Sequence, residues 1–359
     1  MAKIKIATFN INNLFVRYKF EKSYAGSQTI GQLDENKGYL PIYSKGSYEI
    51  FNDQQRVLAA QALTNDGTFF PDVICLQEIE SLIALRFFND KFLKSHYKHC
   101  LVVDSYDFRQ IDVGILTNLE ILGIRTHVDT LDPLWDGRNN LDYQSKHLFS
   151  RDCLEVELKT RSTQSITLFI NHFKSKFQGV PPKSADSKTW KLKKKAGDDA
   201  KRLRQSTEVL RIIKKRFKGD LFKTKDFIVL GDFNEYPSAP SVAPLWRNSH
   251  LEDVLKRIPK PEDRWTHFWN GKVSQLDHFL VSPSITAKSK GILPVIERRA
   301  IGFNKKSASS GYLPRKVKFE SRDDDPNPID IDFQFNRFDG ITDKDYASDH
   351  CPVFFQIPV

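Results

Sequence analysis

The chain has 359 residues, 40% hydrophobic and 28% charged, the balance of an ordinary soluble globular protein. No apolar stretch approaches the roughly 20 residues that cross a bilayer as a helix, which excludes a helical membrane protein. The net charge of +10 is concentrated: residues 174–225 hold 18 Lys/Arg against 5 Asp/Glu, so a local anionic partner is expected rather than a generally basic surface.

Met1-Ala2-Lys3 leads straight into an alternating strand over 4–10, with no room for a signal peptide. Cys75, Cys100, Cys153 and Cys351 show no metal-knuckle spacing and read as reduced thiols. Together these point to the cytoplasm. Further strands are expected over 72–77, 97–103, 112–117, 121–128, 148–158, 166–172, 226–231, 264–269, 275–281 and 353–357, from Val/Ile/Leu/Phe-rich runs. Helical periodicity covers 53–63, 81–92 and 199–217. Many strands with interspersed helices suggest two packed sheets with helices outside. Three stretches read as insertions: 17–51, 176–198 with Pro181-Pro182 and Lys193-Lys194-Lys195, and 286–346.

Polar groups recur where apolar strands end. Asn10 closes the first strand and Glu78 closes Val73-Ile74-Cys75-Leu76-Gln77. His172 follows Leu168-Phe169-Ile170-Asn171, and Asp232 and Asn234 follow Ile228-Val229-Leu230. Asp349-His350 precedes Pro352-Val353-Phe354, and Arg151 follows Leu148-Phe149-Ser150. Asp277 sits inside an apolar strand, where a charge is costly unless paired, and a histidine is a natural partner. Carboxylate and amide oxygens suit Mg²⁺ or Mn²⁺. With histidines and an arginine they are the parts needed to hydrolyse a phosphodiester: an oriented water, charge neutralisation and help for the leaving oxygen.

The ordered series Thr-Phe-Asn, Leu-Gln-Glu, Asn-His-Phe-Lys-Ser-Lys, Gly-Asp-Phe-Asn, Leu-Asp-His-Phe-Leu-Val-Ser and Ser-Asp-His-Cys-Pro-Val resembles the endonuclease/exonuclease/phosphatase superfamily, with the DNase I-like fold. The Asn-His-Phe-Lys-Ser-Lys form is similar to bacterial nuclease-type members. Each motif alone is weak, but six in order span nearly the whole chain. The resemblance implies an α/β (α+β) four-layer sandwich, two facing mainly antiparallel sheets flanked by helices, in one domain over residues 1–359. It also implies roles. Glu78 would hold Mg²⁺, helped by Asn10 and Asp349. Asp232 would activate or orient the attacking water, and Asn234 would bind a phosphate oxygen or that water. His350 would sit at the scissile phosphate with Asp277 as its carboxylate partner. His172 would hydrogen-bond the phosphate or act as general acid, and Arg151 would clamp it.

The superfamily's shared motifs fix the bond cleaved, not its context. The basic segment begins at Lys174 and Lys176, beside His172, and continues through Lys193, Lys194 and Lys195. A cationic loop there would follow a DNA backbone. The expectation is therefore a Mg²⁺-dependent DNase, endo- or exonucleolytic, with no obligate protein partner. The alternative is a phosphatase or phosphodiesterase acting on phospholipid, sugar phosphate or nucleotide. Trp265, His267 and Trp269 precede Asp277 and suit either core packing or stacking on a base or sugar.

Overall fold

Alternate residues of the strand Lys3–Leu14 serve two different cores. Ile4 and Ile6 face one, while Ala7, Phe9 and Ile11 face the other. A strand apolar on both faces belongs inside a layered sheet. The computed structural model describes residues 3–15, 33–34, 38–39, 53–107, 109–135, 146–160, 164–176, 186–247, 249–302, 316–323, 325–332, 337–341 and 345–359.

The first sheet runs, in spatial order, Val295–Ile296, Val353–Pro358, Lys3–Leu14, Val73–Ile79, Asp112–Thr117 and His99–Val103. The second runs Glu252–Asp253, Asp277–Val281, Asp226–Asp232, Ser165–His172, Leu154–Lys159 and Ile121–Arg125. Each is antiparallel except for one central parallel pair. These pairs are Lys3–Leu14 with Val73–Ile79, and Ser165–His172 with Asp226–Asp232. Ile4, Val73, Cys75 and Ile115 of the first sheet share a core with Val156, Leu168, Ile228 and Phe279 of the second, so the sheets pack face to face. The helices Asp53–Thr64 and Leu82–Phe92 cover the outer face of the first sheet through Leu58, Leu63, Leu85 and Phe88. The helix Ser187–Arg216 covers the second through Val209 and Ile213, against Phe169, Phe227 and Val229. The order helix, sheet, sheet, helix is the expected four-layer α/β sandwich.

Several boundaries differ from the sequence reading. The helix expected over 199–217 begins at Ser187, so Lys193, Lys194 and Lys195 stand on a helix and not in a loop. Asp186 caps it, its carboxylate accepting from Thr189 N at 2.7 Å, and Lys194–Asp198 and Lys195–Asp199 pairs one turn apart stabilise the next two turns. The expected strand 148–158 starts only at Leu154. The expected insertion 286–346 contributes Val295–Ile296 to the first sheet. It also contributes Lys316–Phe319 and Ile329–Asp332 to a small sheet with His267–Trp269 and Lys272–Ser274. Of 17–51 only Leu33–Asp34 and Gly38–Tyr39, a short antiparallel pair, are described; the rest, and 177–185, lie outside the described residues.

Candidate active site

Strand parity brings most of the polar groups together. Asn10 shares the inner face with Ile4 and Ile6; His172 with Ile166, Leu168 and Ile170; Asp232 with Ile228 and Leu230; Asp277 with Phe279 and Val281. All four emerge between the sheets at one edge, each nearly fully buried. Asp232 and Asp277 are direct partners across an antiparallel ladder, and Asp232 and His172 across a parallel one.

Glu78 does not follow parity. Ile74 and Leu76 face the helices, and Glu78 should follow them. A bulge between Gln77 and Ile79 with Glu78 at φ 67° turns it inward instead. Its Oε1 lies 3.9 Å from His172 Nε2, and its Oε2 accepts from Asn13 N at 3.1 Å. A second irregularity, between Asn10 and Leu14 with Asn12 and Asn13 at φ 53° and 64°, supplies that amide. Gly231 permits the close approach beside Asp232. Its φ is 126°, and a Cβ there would meet the Asn171 carbonyl oxygen at 2.0 Å.

The carboxylate of Asp232 is held from three sides. Its Oδ1 accepts from Asn234 N at 2.7 Å; its Oδ2 accepts from Asn10 Nδ2 at 3.0 Å and Asn234 Nδ2 at 3.1 Å. His172 Nε2 lies 3.5 Å and His350 Nε2 3.8 Å from the same Oδ2. His350 Nδ1 is 2.8 Å from Asp277 Oδ2. Burial opposes the His350 imidazolium, but Asp277 and Asp232 outweigh it and hold its pKa well above the ordinary value. Burial, then the charges of Arg151 and Arg109, press His172 well below its ordinary value. The two imidazoles are thus pushed in opposite directions, His350 toward the charged form and His172 toward the neutral one. Burial lifts Asp232 to about 6, against the pull of His350.

Burial raises both Glu78 and Asp349 above ordinary carboxylates, against the pull of His350 on each; the charge of Asp232 adds to the rise at Glu78, and that of Glu78 to the rise at Asp349. Ser348 Oγ, next to Asp349, donates to Asn10 O at 2.7 Å and so ties the loop to the first strand. Asp349 feels the charge of Glu78, and two such desolvated carboxylates are hard-oxygen donors of the kind that suits a divalent cation such as Mg²⁺ or Mn²⁺. Asp232, Asp277 and His350 also cluster closely enough to hold an ion. There, however, the 2.8 Å contact commits His350 Nδ1 and Asp277 Oδ2 to each other, so a hydrogen-bonded ion pair describes them better than a metal cage.

Arg151, expected to clamp the phosphate, has its guanidinium committed to protein partners. It is buried, with Nε donating to the His172 carbonyl at 3.2 Å, Nη1 to Asp107 at 2.8 Å, and Nη2 to the Phe173 carbonyl. Its guanidinium braces the end of the His172 strand. Among the lysines, Lys176 pairs with Glu235 and Asp323, Lys194 with Asp198, and Lys195 with Asp199 and Asp323. Lys174 lies 3.8 Å from Asp198 and burial lowers it to about 8. Lys193 is exposed on the long helix. Sequence reasoning gave His267 no catalytic position, yet its ring packs against that of His350 at a tilt of 55° with centroids 4.7 Å apart, and the two residues form a backbone bridge. The only sequence signal was its place at alternate spacing between Trp265 and Trp269.

The pattern of the Endonuclease/Exonuclease/phosphatase family matches residues 7–350. No curated protein matches the sequence. Among solved structures, the human Nocturnin catalytic domain is similar at 12% identity and TM-score 0.53, covering 99% of this chain and 94% of that one. A humanized D. rerio TDP2 reaches 13% identity and TM-score 0.50 over 99% of both chains. Sphingomyelinase C from Streptomyces griseocarneus reaches 13% and 0.50 over 100% of both. At such identities the likeness is one of fold.

Proposed function

The chain belongs to the endonuclease/exonuclease/phosphatase family, enzymes of phosphodiester or phosphate hydrolysis, and from that premise we propose that it is a Mg²⁺-dependent nuclease acting on DNA. The observation that carries the hydrolytic part is the His350–Asp277 pair facing Asp232 across 3.8 Å. It sets an imidazolium donor beside a carboxylate whose pKa of about 6 suits a general base near neutral pH.

Asp232, oriented by Asn10 and Asn234, takes a proton from the attacking water. His350, fixed by Asp277, donates to a non-bridging phosphate oxygen, and the paired carboxylate keeps the ring oriented as charge builds. His172, held neutral, donates a hydrogen bond rather than a proton. Glu78 and Asp349, with Asn10, would hold the metal, which when bound would neutralise charge at the leaving oxygen. Arg151 acts on this arrangement by fixing the backbone of His172 and Phe173.

The DNA part rests on the basic segment, whose exposed Lys188, Lys191 and Lys193 share the first turns of the long helix. A specific observation favours the second reading, a small phosphate ester: Lys176, Lys194 and Lys195 already carry acidic partners. Incubation with supercoiled, linear and single-stranded DNA, with and without Mg²⁺, tests the choice. Metal-dependent cleavage is expected. Hydrolysis of bis(4-nitrophenyl) phosphate with every DNA left intact would replace the nuclease reading by the small-ester one.

A further inference from the structure

Lys176, four residues beyond His172, and Lys195, on the long helix, converge on one carboxylate. Lys176 Nζ lies 2.7 Å from Asp323 Oδ1, and Lys195 Nζ lies 2.8 Å from Asp323 Oδ2. The lysines are anchored from behind. Lys176 sits 3.8 Å over the Tyr236 ring and 2.6 Å from Glu235 Oε1, while Lys195 is 3.2 Å from Asp199. Glu235 is itself buried and fixed by Arg202 and by Ser241 Oγ, each at 3.0 Å. Asp323 differs from these partners. Its side chain is 30% exposed, on a turn docked to the Asp232 loop by Ser238 Oγ donating to Ser321 O at 3.0 Å. The place adjoins the reaction centre along the chain, because Lys176 follows His172 by four residues and its partner Glu235 follows Asp232 by three.

Two ammonium groups from separate elements, each on its own oxygen of one anion, form the contact that a phosphate's two free oxygens make with lysines. The two anions carry like charge, and the Asp323 pairs are partly open to solvent, with side chains 24–38% exposed, so a phosphate can replace the carboxylate at modest cost. We propose that Asp323 fills a second phosphate position beside the scissile one, and that a neighbouring phosphate of a polyanionic substrate displaces it onto Lys176 and Lys195. The proposal rests on the nuclease reading for its natural ligand. It makes the turn around Asp323 a built-in competitor that favours substrates with more than one phosphate.

The test compares wild type, Asp323→Asn, Lys195→Met and the double variant. One arm titrates inorganic pyrophosphate into the metal-free protein by calorimetry. The other measures KM for a labelled single-stranded oligonucleotide relative to bis(4-nitrophenyl) phosphate, which carries one phosphate. Asp323→Asn should tighten pyrophosphate binding and lower the KM ratio about two- to fivefold, on the order of one ion pair. Lys195→Met should weaken pyrophosphate binding and should erase the gain in the double variant. Pyrophosphate affinity unmoved by Lys195→Met overturns the proposal even where Asp323→Asn disturbs its turn. Wild type that hydrolyses the small diester but no oligonucleotide overturns the DNA reading alone, since the pyrophosphate arm still decides the subsite.

Discussion

Glu78 shows what the site costs at the scale of one residue. Its pKa is raised above the ordinary carboxylate value by burial, so between the two values the folded protein binds a proton there more readily than the unfolded chain does. The stability tied to that proton is present at low pH and is lost as pH rises through the elevated pKa. Glu78→Gln should therefore raise the melting temperature of the metal-free protein at pH 8, by about 1–2 °C for each kcal/mol gained in a chain of this size, and should abolish the further rise on adding Mg²⁺. Scanning calorimetry with and without metal checks both halves; a Mg²⁺ response that survives the substitution would remove Glu78 from the metal set. Asp277→Asn tests the other side of the site. Without its carboxylate partner, His350 should titrate much nearer its ordinary value by NMR, and kcat should fall roughly a hundredfold or more. A lone Asp within Leu276 to Val281 already signals a needed partner, for which a histidine suits; that the histidine is His350 was implied by the family resemblance, and the 2.8 Å contact agrees with it. Arg151 was not legible in this way, because a buried guanidinium bonded to carbonyls looks in sequence like any other arginine at a strand end.

Elements explain which side chains converge. Period-2 alternation, visible in the letters, sends Asn10, His172, Asp232 and Asp277 to the same gap. The same rule sends Glu78 the wrong way, and only a backbone angle of 67°, which no residue type announces, corrects it. The long helix was misjudged for a different reason. Dense lysine after Pro181-Pro182 suggests a solvated loop, whereas the Asp186 cap and the lysine–aspartate pairs let the helix continue to Ser187. Gly231 is the element-scale constraint most open to test. Gly231→Ala forces a Cβ against the Asn171 carbonyl and should part the strands Ser165–His172 and Asp226–Asp232 where they deliver His172 and Asp232. Urea unfolding should show a loss of about 2 kcal/mol or more, with activity falling further than the folded fraction. Wild-type stability would mean that the two strands have slack at that point.

Across the whole molecule, charge is segregated: the segment 174–225 is strongly basic while the remainder is slightly acidic. If that segment follows a polynucleotide, turnover of long DNA should drop at least tenfold between about 50 and 200 mM salt, while hydrolysis of a one-phosphate diester should change less than twofold. Equal salt responses would detach the segment from substrate binding. Among the described residues no helix is long and apolar enough to cross a membrane. The sheet order has a further consequence. The strand Lys3–Leu14 is interior, yet one of its neighbours, Val353–Pro358, is almost the whole chain away, and the bond from Ser348 to Asn10 joins residues 338 positions apart. Synthesis proceeds from the amino end, so Asn10 and Glu78 leave the ribosome long before Asp349 and His350. Until Asp349 and His350 emerge, the nascent chain holds an unfinished centre, so the order in which residues are added delays assembly of the site.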